Sequence, residues 1–161
     1  MLVTGCSSGL GAALANQISK AGYRLVATAR KTSTLGYLEE SPKILKLKLD
    51  VTSPPEIASV VAAAVEKFGR IDVVINNAGY GLGGEFEATT DADARRLVET
   101  NFWGPVNMTK EALRVFREVN PNGQGGTVVQ VSSMGGYIGF PGQAFYHARF
   151  VSPPTVQFPP T

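Results

Sequence analysis

Leu2-Val3-Thr4-Gly5-Cys6-Ser7-Ser8-Gly9-Leu10-Gly11, almost at the N-terminus, constrains the architecture more than any other segment. A short apolar strand runs into three glycines spaced G-x-x-x-G-x-G, and a helical pattern (Ala12, Ala13, Leu14, Ile18) follows at once. Gly5 permits a sharp turn, Gly9 lets the backbone approach a ligand, and Gly11 lets the helix lie close to the strand it left. Unpaired N–H groups at the helix start, backed by the macrodipole, suit an anion such as a pyrophosphate. A glycine pattern alone is a weak signal, because many glycine-rich loops hold nothing. The stretches downstream supply the rest.

Working outward, residues 1–4 read as a strand, 10–21 as an amphipathic helix and 23–29 as a second apolar strand. Residues 34–39 read as a short helix. The alternating ILKLKL of 44–49 suits a half-exposed or edge strand. Residues 54–68 open with proline and repeat apolar positions at helical spacing, and 71–76 is a buried strand. Two stretches, 91–100 and 102–119, read as helical, with Pro105 near the start of the second, and 127–132 is a fifth strand. This alternation predicts an α/β fold: a doubly wound parallel sheet between two helical layers. Residues 1–150 form the expected dinucleotide-binding domain. The tail, 151–161, holds four of the chain's 10 prolines and reads as disordered or extended.

Composition narrows the class. At 161 residues the chain is one domain's worth. A net charge of +2 gives no strong field for nucleic acid or an anionic membrane. The longest apolar run, residues 60–65, is too short to span a bilayer. Cys6 is the single cysteine, so no internal disulfide forms, and its place in a tight loop fits a small packing residue better than a reactive thiol. A cytoplasmic location is expected.

About 20 residues beyond such a glycine turn, an acid commonly binds the ribose 2′-hydroxyl of NAD. Here the second strand ends in Ala29-Arg30-Lys31. No carboxylate repels a 2′-phosphate, and two cations attract it, so NADP(H) is expected over NAD(H), which is still admitted.

Five ordered motifs then complete the picture: Thr4-Gly5-x3-Gly9-x-Gly11; Asp50-Val51; Asn76-Asn77-Ala78-Gly79; Asn101; and Ser133 thirteen residues before Tyr146. Together they resemble the short-chain dehydrogenase/reductase family over residues 1 to about 148. The resemblance implies that the backbone around Ser7, Ser8, Gly9 and Leu10 holds the cofactor phosphates, with Gly5 and Gly11 also in the cofactor-binding turn. It also implies that Asp50 and Val51 meet the adenine and that Asn77, Ala78 and Gly79 line the cofactor. Ser133 would orient a substrate oxygen and Tyr146 would move its proton, interconverting an alcohol and a ketone or aldehyde. A phenol does this only when its pKa falls from about 10 toward the working pH, which a nearby cation achieves. Pro105 has no N–H for the carbonyl of Asn101, so a kink with a spare carbonyl is expected there, able to hold a relay water.

The sequence departs from the family at its lysine. The pattern wants Tyr-x-x-x-Lys, and this chain reads Tyr146-His147-Ala148-Arg149-Phe150. Phenylalanine takes the i+4 place, and Arg149 at i+3 is the remaining cation on a neighbouring face. His147 reads as an exposed side chain more readily than as a replacement base. The helix around Tyr146 is expected over 142–151, and the resemblance's later strands and substrate lid have no counterpart in the tail. Impaired turnover is therefore expected. The alternatives are a non-catalytic nucleotide-binding remnant, or an interaction protein using an open edge on strand 127–132. That edge, with an apolar helix face including Val106, Leu113 and Phe116, predicts self-association into a homo-oligomer.

Overall fold

The computed structural model describes residues 1–148 and 155–158. Strand β1 (Leu2–Val3) enters helix α1 (Gly9–Lys20), and β2 (Leu25–Ala29) returns with all five residues buried. There follow β3 (Ile44–Lys48), α2 (Pro54–Phe68), β4 (Val73–Asn76), α3 (Asp91–Val98), α4 (Gly104–Glu118) and β5 (Gly126–Gln130). A one-turn helix, α5 (Ala144–His147), and a strand, β6 (Thr155–Phe158), complete the described elements. The strand order is β3-β2-β1-β4-β5-β6, parallel through the first five, with β6 antiparallel. The expected doubly wound α/β sheet is present. β1 and β4 are neighbours although the chain winds outward to β3 between them, so the order reverses there and leaves a crevice above their carboxyl ends.

Period-two alternation divides the core. Leu2, Val26, Val74 and Val128 face the layer of α2 and α4, where Ile57, Val61, Met108 and Val115 complete one cluster. Their neighbours Val3, Leu25, Ala27 and Ile75 face the other way and pack with Ala15 of α1 and with Leu35. β3 lies at the sheet's edge, as its alternating lysines suggest. Ser53 caps α2 by accepting from the Glu56 N–H, and Gly69 ends the helix at φ 78°.

Several expectations need correction. The edge of β5 is not open: residues 126–129 pair with 158–155 of the tail, which is extended there. That pairing removes the observation on which the interaction-protein reading stood. Phe116 is not on an uncovered face either. It is 4% exposed, and its ring lies where a Cβ on Gly126 would come within 2.4 Å. Leu113 packs on the same core cluster, and Val106 is half-buried. The short helix expected over 34–39 is a 3-10 turn at Thr32–Leu35. The helix expected around Tyr146 is described only for Ala144–His147.

At Pro105 the kink takes a specific form. Residues Glu99–Trp103 adopt a π turn, and the Gly104 N–H reaches back to the Glu99 carbonyl. Proline's missing donor makes the ordinary ladder impossible at this point, and the widened turn absorbs the gap. Gly104 must be glycine for a separate reason: a Cβ there would sit 2.8 Å from the Val51 side chain.

Candidate active site

Four strand ends converge at the carboxyl edge: residues 4–5 after β1, 30–31 after β2, 77–79 after β4 and 131–133 after β5. The turn after β1 is stitched from beneath by Thr4, a buried hydroxyl that accepts from the N–H groups of Asn77 and Ala78, each at 3.0 Å. Asn77 returns the bond, its Nδ2 donating to the carbonyls of Thr4 (2.9 Å) and Gly5 (3.1 Å). The Asn77 amide is thus committed to the glycine turn rather than aimed into open space. Gly5 has φ 71°, and a Cβ there would meet Ala78 Cα at 2.7 Å. A Cβ on Gly11 would fall 2.2 Å from the Gly5 carbonyl oxygen. Gly9 is the contrast, with φ 56° and nothing within 4 Å of an added Cβ. It opens α1 behind Ser8, whose side chain makes no capping bond, and the first-turn N–H groups have no helical partner. Tight closure below and an open mouth above make a cradle that fits a pyrophosphate. Ser7, Ser8 and Leu10 are exposed at its rim.

Beside the cradle, Arg30 and Lys31 are exposed at the end of β2. Asp50 lies close enough to feel the Arg30 charge. Burial opposes its ionisation, but hydrogen bonds from the Thr52 N–H and hydroxyl, with Arg30 and Lys48 nearby, outweigh that and hold the carboxyl below its ordinary value. Val51 is buried beneath. Cys6 is fully buried, and burial pushes its thiol up to about 11, which fits packing rather than reactivity. Tyr37, not singled out from the sequence, donates its hydroxyl to the Cys6 carbonyl at 2.9 Å and so braces the turn from the β2 side.

On the β5 side, Asn101 is buried in the π turn. Its Oδ1 accepts from the Tyr80 N–H at 3.1 Å, and its Nδ2 donates to the Tyr80 carbonyl at 2.7 Å. Its side chain therefore fixes the loop after β4, a role that spacing alone could not reveal. Ser133 caps a 3-10 turn, Met134–Gly136, its Oγ accepting from the Gly135 N–H at 3.2 Å. Ser133 and Tyr146 line one recess of about 410 Å³, and Tyr146 and Asn101 line an adjoining cleft of about 590 Å³. Tyr146 and Gly81 are common to both. Lys110 of α4, also missed from the sequence, lines the larger cleft. Arg149 lies outside the described residues. His147 is neither exposed nor placed as a base: it is half-buried, with both ring nitrogens engaged by backbone. The helix bearing Tyr146 is held on its other flank by the Gly84 N–H, which donates to the Gly142 carbonyl at 2.8 Å, and by Phe86 stacked on Phe145. Among the described residues no cluster suits a metal ion, and no helix is long and apolar enough to cross a membrane.

Residues 1–149 match the family model for short chain dehydrogenase. The chain belongs to the short-chain dehydrogenase family. It is 46% identical over 151 residues to the oxidoreductase calM of Penicillium decumbens, covering 91% of this chain and 49% of that one. Among solved structures, a short-chain dehydrogenase from Streptomyces avermitilis superposes with a TM-score of 0.84 at 39% identity, covering 92% of this chain and 55% of that one. ElxO with NADP bound gives 0.82 at 31% identity, covering 92% and 61%. A 3-ketoacyl-(acyl-carrier-protein) reductase from Brucella melitensis complexed with NADH gives 0.82 at 26% identity, covering 92% and 63%. This short-chain dehydrogenase chain spans about half the length of the curated relatives it matches.

Proposed function

We propose that the chain is an NADP(H)-dependent oxidoreductase that interconverts an alcohol and a ketone or aldehyde, with slow turnover in this form. The observation that carries the reading is the recess shared by Ser133 and Tyr146, adjoining a cleft whose Asn77 is bonded to the glycine turn. Bound there, the nicotinamide cofactor supplies or accepts a hydride. The first-turn N–H groups behind Ser8 receive its phosphates, with Gly5 and Gly11 keeping the turn compact beneath. Arg30, with Lys31, attracts a 2′-phosphate, while Asp50 and Val51 border the adenine and residues 77–79 form the adjoining wall. Ser133 donates a hydrogen bond to the substrate oxygen, and the Tyr146 hydroxyl gives or takes the proton that balances the hydride. Asn101 keeps the wall in place through Tyr80, and its own carbonyl, freed by Pro105, is the place for a relay water. Arg149 is the cation nearest to Tyr146 in sequence. The substrate is a small molecule, and the relatives that bind NADP or NADH support a nicotinamide cofactor without choosing between them.

Phe150 in place of a lysine is the reason for slow turnover. A planar guanidinium at i+3 is a poorer partner for a phenolate than a point ammonium one helical turn away. The experiment is NADPH oxidation with a panel of ketones and aldehydes, using the native chain, Tyr146→Phe and Phe150→Lys. Weak turnover that disappears in Tyr146→Phe is expected, with Phe150→Lys recovering a small part. Turnover that survives Tyr146→Phe contradicts the assignment.

A further inference from the structure

The hydrogen bonds of His147 set the roles of its two ring nitrogens. The Phe140 N–H donates to Nε2 at 3.0 Å, so that nitrogen presents a lone pair. Nδ1 lies 2.6 Å from the Gly135 carbonyl oxygen and must therefore carry the ring's one proton. The imidazole also lies over the Phe140 ring, 5.8 Å between centroids. We propose that His147, as the neutral Nδ1–H tautomer, is a positioning residue that clamps the Ser133 turn to the helix bearing Tyr146.

Gly135 donates its N–H to the Ser133 hydroxyl and offers its carbonyl to His147, the covalent neighbour of Tyr146. Two hydrogen bonds therefore connect the two reacting hydroxyl-bearing residues across a gap of thirteen positions. A described helix of four residues cannot hold itself in place, because so short a helix has almost no internal hydrogen bonds. The Gly84–Gly142 bond and the Phe86–Phe145 stack secure the flank facing residues 84–86. His147 secures the flank facing Ser133. A side chain lacking either a donor or an acceptor at this place leaves one of two backbone groups without its partner.

The clamp rests on the reading of Ser133 and Tyr146 as the reacting pair, and its test separates the two claims. In the full chain, nitrogen-15 NMR of His147 near neutral pH should show a protonated Nδ1 and an unprotonated Nε2. This measurement needs no variant, and a proton on Nε2 overturns the clamp. His147→Phe keeps the aromatic contact but no hydrogen bond. It should speed amide exchange at Phe140 and Gly135 by about tenfold or more and leave Val74 and Val128 in the core unchanged. His147→Gln, with one donor and one acceptor, should restore part of the protection. Unaltered exchange at Phe140 in His147→Phe also overturns the clamp. Turnover is then read on the same proteins: kcat should fall in His147→Phe while KM for NADPH stays put, and His147→Gln should recover part. Altered exchange in a chain with no Tyr146-dependent turnover supports the clamp and removes the proposed function; an unchanged kcat in an active chain removes the positioning role.

Discussion

The turn after β1 and the loop after β5 end at the same edge of the sheet, but they are held in different ways. Around Gly5 and Gly11 the backbone is so closely packed that an added methyl group meets main-chain atoms. Thr4, Asn77 and Tyr37 tie the same turn by hydrogen bonds from three directions. Around Ser133 and Tyr146 the ties include the Ser133 cap, the Gly84–Gly142 bond, the Phe86–Phe145 pair and the two bonds of His147. Tyr137, Ile138 and Met134 stand exposed between them. The first region is part of the core and the second rests on its surface, so nucleotide binding should tolerate damage that stops chemistry.

Matched glycine substitutions give the largest contrast. Gly11→Ala drives a methyl group toward the Gly5 carbonyl, and should cost about 3 kcal/mol or more, since neither backbone can move aside. Gly139→Ala meets nothing within 4 Å and should stay within about 0.5 kcal/mol of the parent in urea unfolding. Equal costs would erase the distinction between the regions.

Asn101 tests the wall that joins them. Asn101→Ala leaves the Tyr80 N–H and carbonyl without their partner and should destabilise by about 2–4 kcal/mol, read as a lower urea midpoint with unchanged slope. Cys6 reports on the packed turn through pH. Its thiol is raised to about 11 in the fold, so its share of stability is complete below its unfolded value and is lost as pH rises through the folded one. Relative to Cys6→Ala, the native chain should lose about 2–3 kcal/mol between pH 8 and pH 11, because each pKa unit is worth about 1.4 kcal/mol. Parallel pH profiles for the two proteins would show that the turn is more open than described. The smallest effect concerns choice of cofactor: Arg30→Asp should reverse a preference for NADPH over NADH worth about 1.5–3 kcal/mol, measured by titrating both.

Much of the frame was legible in the sequence because alternation, proline starts and glycine stops act locally. Residues 54–68 announce their helix with Pro54 and end it at Gly69, and ILKLKL shows its edge position by its lysines. Helical spacing shows an apolar face on 102–119, but not that the Phe116 ring fills the place of a missing side chain at Gly126. The prolines of the tail argued against a helix and said nothing about pairing, so β6 was not foreseen. At the site, the family resemblance singled out Ser133 and Tyr146, which line one recess. The reciprocal bonds of Asn101 with Tyr80, and of Asn77 with Thr4 and Gly5, join residues 21 to 73 positions apart and leave no periodic trace.

The proposed nucleotide cradle is closed by packed backbone, and the proposed reacting pair stands on the sheet's surface. Titration of NADPH into the native chain and into Tyr146→Phe, followed by nicotinamide fluorescence, tests this contrast most directly. Saturable binding of equal affinity is expected in the two proteins, with turnover confined to the native chain. An absence of saturable binding to the native chain, or its loss on removing one phenolic oxygen, would contradict it.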